Sequence, residues 1–178
     1  MTFQTTCASP MRTVALLSDT HGYLDARVRE AASACDYIVH AGDIGGAGVL
    51  QALGGAARGF IAVRGNNDVP EKWPPSERGL LRDLPDAAEV ALPGGLLVVT
   101  HGDRVLPAKQ RHARLRRAYP EARAIVYGHS HRLVADCSVR PWVLNPGAAG
   151  RARTYGGPSW LMLFAAEDRW RLRMFRYA

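Results

Sequence analysis

The chain has 178 residues, room for one domain with a full core and too few for two. An apolar fraction of 47%, with 22% charged residues, 18 Gly and 11 Pro, excludes collagenous, coiled-coil and low-complexity chains. The net charge of +7 favours anionic partners without naming one, and it is almost all arginine, because only Lys72 and Lys109 are lysines.

Residues 1–12 read as a flexible leader and 13–178 as a single domain. The leader lacks a positive n-region and an apolar h-region, so no secretory signal is expected. The uncharged stretches Ile44–Ala57 and Thr154–Ala166 are shorter than the roughly 18 apolar residues of a membrane helix, and no membrane partner is expected. Cys7, Cys35 and Cys137 are widely spaced with no CxxC, which argues against a disulfide framework and a thiolate metal site. A reducing cytoplasm is the expected location.

In chain order, short Val/Ile/Leu runs each break into a Gly-containing turn. Val14–Leu17 runs into SDTHG, Tyr37–Val39 into HAGD, Phe60–Val63 into RGNND, Leu96–Val99 into THGD and Ala124–Tyr127 into GHSH. Such runs predict buried strands. Helices are predicted over Tyr23–Ala34, with Leu24, Val28 and Ala31 or Ala32 on one face, and over Pro107–Tyr119, with Pro at the first helical position.

Strand–helix–strand order predicts parallel pairing in the first half. The second half reads as antiparallel: Glu89–Leu92 and Leu96–Thr100 flank PGG, and Ser159–Ala166 and Arg169–Tyr177 are joined at Glu167 and Asp168. In the last strand Trp170, Leu172 and Met174 alternate with Arg169, Arg171 and Arg173, predicting one buried face and one solvated basic face. Trp142, Trp160 and Trp170 are expected in the core. Together these elements predict an α/β fold of two mixed sheets packed face to face with helices outside.

The side chains that carry chemistry fall just after predicted strands: Asp19, His21, Asp43, Asn66, His101, His129 and His131. Loops beyond the carboxyl ends of strands converge on one crevice in such folds. Each loop also places a glycine (Gly22, Gly42, Gly65, Gly102, Gly128) beside a candidate ligand, as close backbone approach requires. Imidazole, carboxylate and amide oxygen without sulfur suit Mn, Fe, Zn, Co or Ni. Seven ligands exceed one ion's needs and fit two, about 3.5 to 4 Å apart and sharing a carboxylate. The competing structural reading makes each residue a turn former or a satisfied core group.

The motifs DTH (Asp19, His21), GD (Gly42, Asp43), GNND (Gly65–Asp68), HG (His101, Gly102) and GHSH (Gly128–His131) stand in an order that resembles the calcineurin-like metallophosphoesterases, most closely their small bacterial and archaeal phosphodiesterases. The likeness runs from about Val14 to the end, with NPG at Asn145–Gly147 as a further segment. It implies a four-layer α-β-β-α sandwich with two divalent ions, manganese first and nickel, zinc, iron or cobalt as alternatives. Asp19, His21 and His131 would hold one ion, Asn66, His101 and His129 the other, and Asp43 would bridge. The implied activity is phosphoester hydrolysis, most closely of small diesters, by a hydroxide shared between the ions. Catalysis would rest on Asp43, Asn67 and His101, with Asn66 and Asn67 contacting substrate.

Many family members carry His where this chain has Asn67; the small-phosphodiesterase subgroup commonly lacks it. An amide donates a hydrogen bond but is no general acid, so good leaving groups are expected. Asp68 is read equally as an orienting partner of a ligand His or as a turn former. His40 is read as a buried strand-end group, His112 as part of a solvated basic helix face, and Arg64 as a weaker phosphate-contact candidate. Tyr23, the 70–76 loop and the 103–108 turn are expected to wall the site. The alternatives are a phosphomonoesterase and a protein-interaction scaffold like the retromer subunit of vesicle sorting, which shares the fold. Nucleic-acid binding is disfavoured and homo-oligomerisation left open.

Overall fold

A computed structural model describes residues 10–55 and 58–178. Of the expected leader, residues 1–9, with Cys7, lie outside the described residues, and Arg12 already opens the first strand. The described elements are β1 (Arg12–Leu17), α1 (Ala26–Ser33), β2 (Tyr37–His40), α2 (Ala47–Leu53), β3 (Gly59–Ala62), α3 (Arg78–Asp83), β4 (Ala87–Leu92), β5 (Gly95–Thr100), α4 (Arg111–Ala118), β6 (Ala124–Val126), β7 (Leu133–Asp136), β8 (Trp142–Pro146), β9 (Ser159–Ala165) and β10 (Trp170–Arg176).

They form two mixed five-stranded sheets, β10-β9-β1-β2-β3 and β4-β5-β6-β8-β7. Period-two patterning sends alternate side chains to opposite faces, and each strand is sorted accordingly. Val14, Leu16, Val39, Leu161 and Leu163 of the first sheet meet Leu97, Val99, Val126 and Leu144 of the second. Ala15, Leu17, Ile38 and Trp160 point the other way, under Val28 of α1, Val49 of α2 and Leu81 of α3. Val98, Ile125 and Val143 cover Leu115 of α4. The result is an α/β sandwich of helices, sheet, sheet and helix.

Both predicted antiparallel pairs form, β4–β5 and β9–β10, but the second half is not antiparallel throughout. β4–β5 and β7–β8 are antiparallel, but β5–β6 and β6–β8 are parallel, with α4 as the crossover from β5 to β6. The predicted hairpin closes through Pro93 and Gly94, with Gly94 at φ 79°, the left-handed position a type II turn demands. Helix α1 is shorter than predicted because Asp25 caps it, its carboxylate accepting from Arg27 N–H at 2.9 Å and leaving Tyr23 and Leu24 outside. Pro107 heads a 3-10 turn, and α4 proper starts at Arg111.

In β10 the predicted apolar face ends early. Trp170 is buried and donates to Pro93 O at 2.7 Å, whereas Met174 is 57% exposed. Its neighbour Phe175, on the face expected to be basic, stacks on Trp160 at 4.5 Å. Trp160 and Trp170 are core residues, and Trp142 is half-buried against the inter-sheet core.

Parallel β1, β2 and β3 in one sheet and parallel β5 and β6 in the other are each followed directly by a motif loop. This is the feature of the fold that makes a site.

Candidate metal centre

The backbone is most contorted where the chemistry is. Among the described residues seven non-glycine residues have positive φ, and five are site candidates: Asp19 (54°), His21 (46°), Asp43 (55°), His129 (66°) and His131 (58°). Such conformations cost about 1 to 3 kcal/mol each and persist where surrounding structure enforces them. Gly65 and Gly128 serve through close approach: a Cβ on Gly65 would collide with Asp43, and one on Gly128 with Ser18.

All seven candidate side chains converge. Ligand atoms of Asp19, His21, Asp43 and His131 lie within 4.8 Å of one another. His131 Nε2 is 3.2 Å from His21 Nε2 and 3.3 Å from Asp19 Oδ1. In the second group Asn66 Oδ1 is 3.1 Å from His101 Nε2 and 2.9 Å from His129 Nδ1. Asp43 stands between the groups, with Oδ2 3.6 Å from His21 Nε2 and Oδ1 3.4 Å from His101 Nε2.

Two of the four candidate imidazoles are anchored through Nδ1. His101 Nδ1 lies 2.8 Å from Ala41 O and His131 Nδ1 2.9 Å from Ala152 O. A carbonyl only accepts, so each ring carries a proton on Nδ1; the neutral His131 thereby turns an Nε2 lone pair to the cluster, and His101 does so once its Nε2 proton is lost, the way metal-bound histidines are commonly held. Asp19 Oδ2 is buried with no hydrogen-bond partner. An orphaned carboxylate oxygen among imidazole lone pairs fits a divalent cation and fits a solely structural role poorly.

Electrostatics separates the members. Burial raises the Asp19 pKa to about 7 and lowers that of His131 to about 4, so their 3.3 Å contact is not an ion pair. Burial also lowers His21 and His129. For His101 and Asp43 burial disfavours both charges, but their mutual contact prevails. His101 rises to about 8, and His101 with the Asn67 donors holds Asp43 well below the usual carboxylate range.

A layer of supporting contacts fixes the loops. Thr20 donates to Ile44 O at 2.9 Å, so the contact of its hydroxyl with His40 Nε2 at 3.0 Å is a donation from the ring. His40 is thus fully buried, as expected, and also holds the residue between Asp19 and His21. Asp68 touches no ligand histidine. It accepts from the backbone N–H groups of Ile44 (3.0 Å), Gly45 (3.0 Å) and Gly65 (2.9 Å) and from Trp73 Nε1 (3.2 Å), tying the GD loop to the GNND turn. Asn145, of NPG, donates to Gly128 O at 2.7 Å and Ser130 Oγ at 3.0 Å, bracing the loop of His129 and His131.

Asn67 turns inward. Its backbone N–H and Nδ2 donate to Asp43 Oδ1 and Oδ2, each at 2.7 Å, and its Oδ1 accepts from Lys72 Nζ. The amide expected to face substrate is spent on the carboxylate between the two groups. Lys72, exposed in the loop expected to wall the site, thereby joins the Asn67–Asp43 contact, and its rarity in an arginine-rich chain is the one sequence signal that marks it. Arg64 pairs with Asp86 at 2.7 Å, as does Arg104 at 3.0 Å, so neither cation is free. His112 is not on a solvated face: its ring bridges Asp136 (2.9 Å) and the Tyr127 hydroxyl (3.0 Å). Beside Asn66 a cavity of about 240 Å³ opens between Arg64 and the Asp103–Val105 turn, one of the expected walls.

Solved structures share this fold across nearly their whole length. A vacuolar protein sorting 29 from Cryptosporidium parvum superposes with TM-score 0.74 at 19% identity, covering 94% of this chain and 98% of its own. A vacuolar protein sorting 29 from Entamoeba histolytica, complexed with zinc, gives 0.69 at 15%, covering 93% and 99%. An archaeal phosphodiesterase gives 0.67 at 21%, covering 92% and 99%. No curated protein sequence matches the chain. The family model of the calcineurin-like phosphoesterase superfamily domain matches residues 11–168, which span every motif loop described above, and the chain belongs to that superfamily.

Proposed function

We propose that the protein is a dinuclear metal-dependent phosphodiesterase acting on small phosphodiesters. The observation that carries this reading is Asp43, whose two oxygens face two separate histidine groups. Asp19, His21 and His131 would hold one ion, Asn66, His101 and His129 the other, and Asp43 both. When bound, the pair supplies the activated water and neutralises charge on the phosphoryl oxygens.

The protein's own share is positioning. Ala41 and Ala152 carbonyls aim His101 and His131, and Asn67 holds both oxygens of Asp43 in place. With its amide committed, Asn67 is a positioning residue, and Lys72 brings an ammonium to that side of the site. No group of the general-acid kind stands on Asn67's side chain, which supports the preference for good leaving groups. Manganese is the first candidate ion, and the zinc-bound sorting protein of the same fold keeps zinc beside it. Among the described residues Cys35 and Cys137 are free, and no helix is long and apolar enough to cross a membrane; a cytoplasmic location is part of the proposed reading.

The test is turnover of bis-p-nitrophenyl and mono-p-nitrophenyl phosphate by chelator-stripped protein with Mn, Ni, Zn, Co or Mg restored. Metal-dependent turnover favouring the diester is expected. Preference for the monoester would make the protein a phosphomonoesterase. No turnover with two ions bound would favour a scaffold, the reading that the sorting-protein neighbours support.

A further inference from the structure

Two positive-φ residues stand apart from the site candidates, Arg153 (50°) and Tyr155 (46°), and both lie in the loop between β8 and β9. That loop grips one imidazole from two sides. Ala152 O meets His131 Nδ1 at 2.9 Å, and the next residue, Arg153, brings Nη2 to 2.9 Å from His131 Nε2. A guanidinium has five donors and no lone pair, so it cannot be a metal ligand. It competes with a cation for the Nε2 lone pair while lying within reach of whatever that cation binds.

The charge around it is not neutralised. Arg27, Arg58, Arg64, Arg104 and Arg116 each pair with a carboxylate. Among the described residues Arg153 and its neighbours Arg132 and Arg151 have no such partner. Arg151 lies 3.7 Å over the Tyr23 ring and Arg132 4.7 Å over Tyr155, contacts that orient the guanidinium planes and leave the charge intact. Arg151 and Arg153 share the β8–β9 loop and Arg132, next to His131 in the chain, rests on Tyr155 of that loop, so three uncompensated guanidiniums attach to the loop that holds a candidate ligand and can receive an oxyanion.

Resting on the phosphoesterase reading, we propose that Arg153 binds the phosphoryl oxygens of the substrate, with Arg132 and Arg151 extending an anion-binding rim beyond it. The loop fixes where the anion is held, at the His131 side of the candidate ligands, whereas the cavity beside Asn66 is lined by the neutralised Arg64–Asp86–Arg104 cluster.

Calorimetric titration of Mn²⁺ into chelator-stripped protein, then of inorganic phosphate into Mn²⁺-loaded protein, for wild type, Arg153→Ala and Arg153→Lys, tests this without turnover. Removing a competing unit charge should tighten Mn²⁺ binding by about fivefold. Removing a charge-assisted fork should weaken phosphate binding by about 10- to 100-fold. Lysine, a point charge without the fork, should restore only part of it. Arg153→Ala with wild-type affinity for both would overturn the assignment and leave the phosphoesterase reading intact. Loss of phosphate affinity in a protein that hydrolyses no phosphoester would keep Arg153 as an anion-binding residue and remove the phosphoesterase reading instead.

Discussion

Asp19 and His101 both hold protons near neutrality, at about 7 and about 8, and both must lose them to become ligands. Binding of divalent ions below pH 7 therefore releases protons, and affinity should climb as pH rises through 7 to 8 and flatten above. Titrations in buffers of different ionisation enthalpy would show both effects; an affinity constant from pH 6 to 8 would contradict them. At this scale the seven candidates were legible because each follows a strand-like run within a short motif. Asn67, Lys72 and Arg153 were not. Their roles depend on where backbone turns aim them: Asn67's N–H and amide reach Asp43 only through the GNND turn, and Arg153 meets His131 only because Ala152 docks on the same ring.

Between elements, Asp68 is the staple joining the loop after β2 to the turn after β3. Asp68→Ala leaves the buried backbone N–H groups of Ile44 and Gly65, the part-buried N–H of Gly45 and the buried Trp73 indole without their acceptor, at a cost of about 3 kcal/mol or more. For a chain of this size that lowers Tm by roughly 6 to 12 °C, and Mn²⁺ affinity should fall with it because Asp43 sits on the stapled loop. A Tm within 2 °C of wild type (about 0.5 to 1 kcal/mol) would show that the loops hold without it. Strands were readable from their Val, Ile and Leu runs, but α2 was not. Its N-cap is Gly46, with no side-chain hydrogen bond, so none of the usual start signals is present. Strand β7 escaped notice for a related reason: Leu133–Asp136 is a half-exposed edge strand ending in a charge. The parallel β5–β6–β8 core is not local in sequence, whereas the two hairpins that are, β4–β5 and β9–β10, dominate the pattern of the second half.

For the whole molecule, the buried histidines set the response to acid. His40 is fully buried and neutral, its pKa held down to about 3 by burial, against an unfolded value near 6.5. Its contribution is complete above pH 6.5 and is lost below it at up to about 1.4 kcal/mol per pH unit, because only the unfolded chain takes up the proton. His131, at about 4, acts in the same sense. Asp19 opposes it over the same range, since the folded chain holds its proton, and His101 opposes it only above pH 6.5; below that Asp19 is outnumbered once lowered His21 and His129 are included. The chelated protein should therefore lose stability between pH 6.5 and 4.5, and His40→Gln should shallow that slope; an equal slope in urea unfolding would contradict it. The most direct measurement of the central claim is the number of Mn²⁺ ions bound per chain, read alongside bis-p-nitrophenyl phosphate turnover, in wild type and Asp43→Asn. Two ions with turnover in wild type, and loss of at least one ion together with turnover in the variant, are expected. Full turnover by Asp43→Asn, or a wild type that holds a single ion at saturation, would contradict a centre organised around a shared carboxylate.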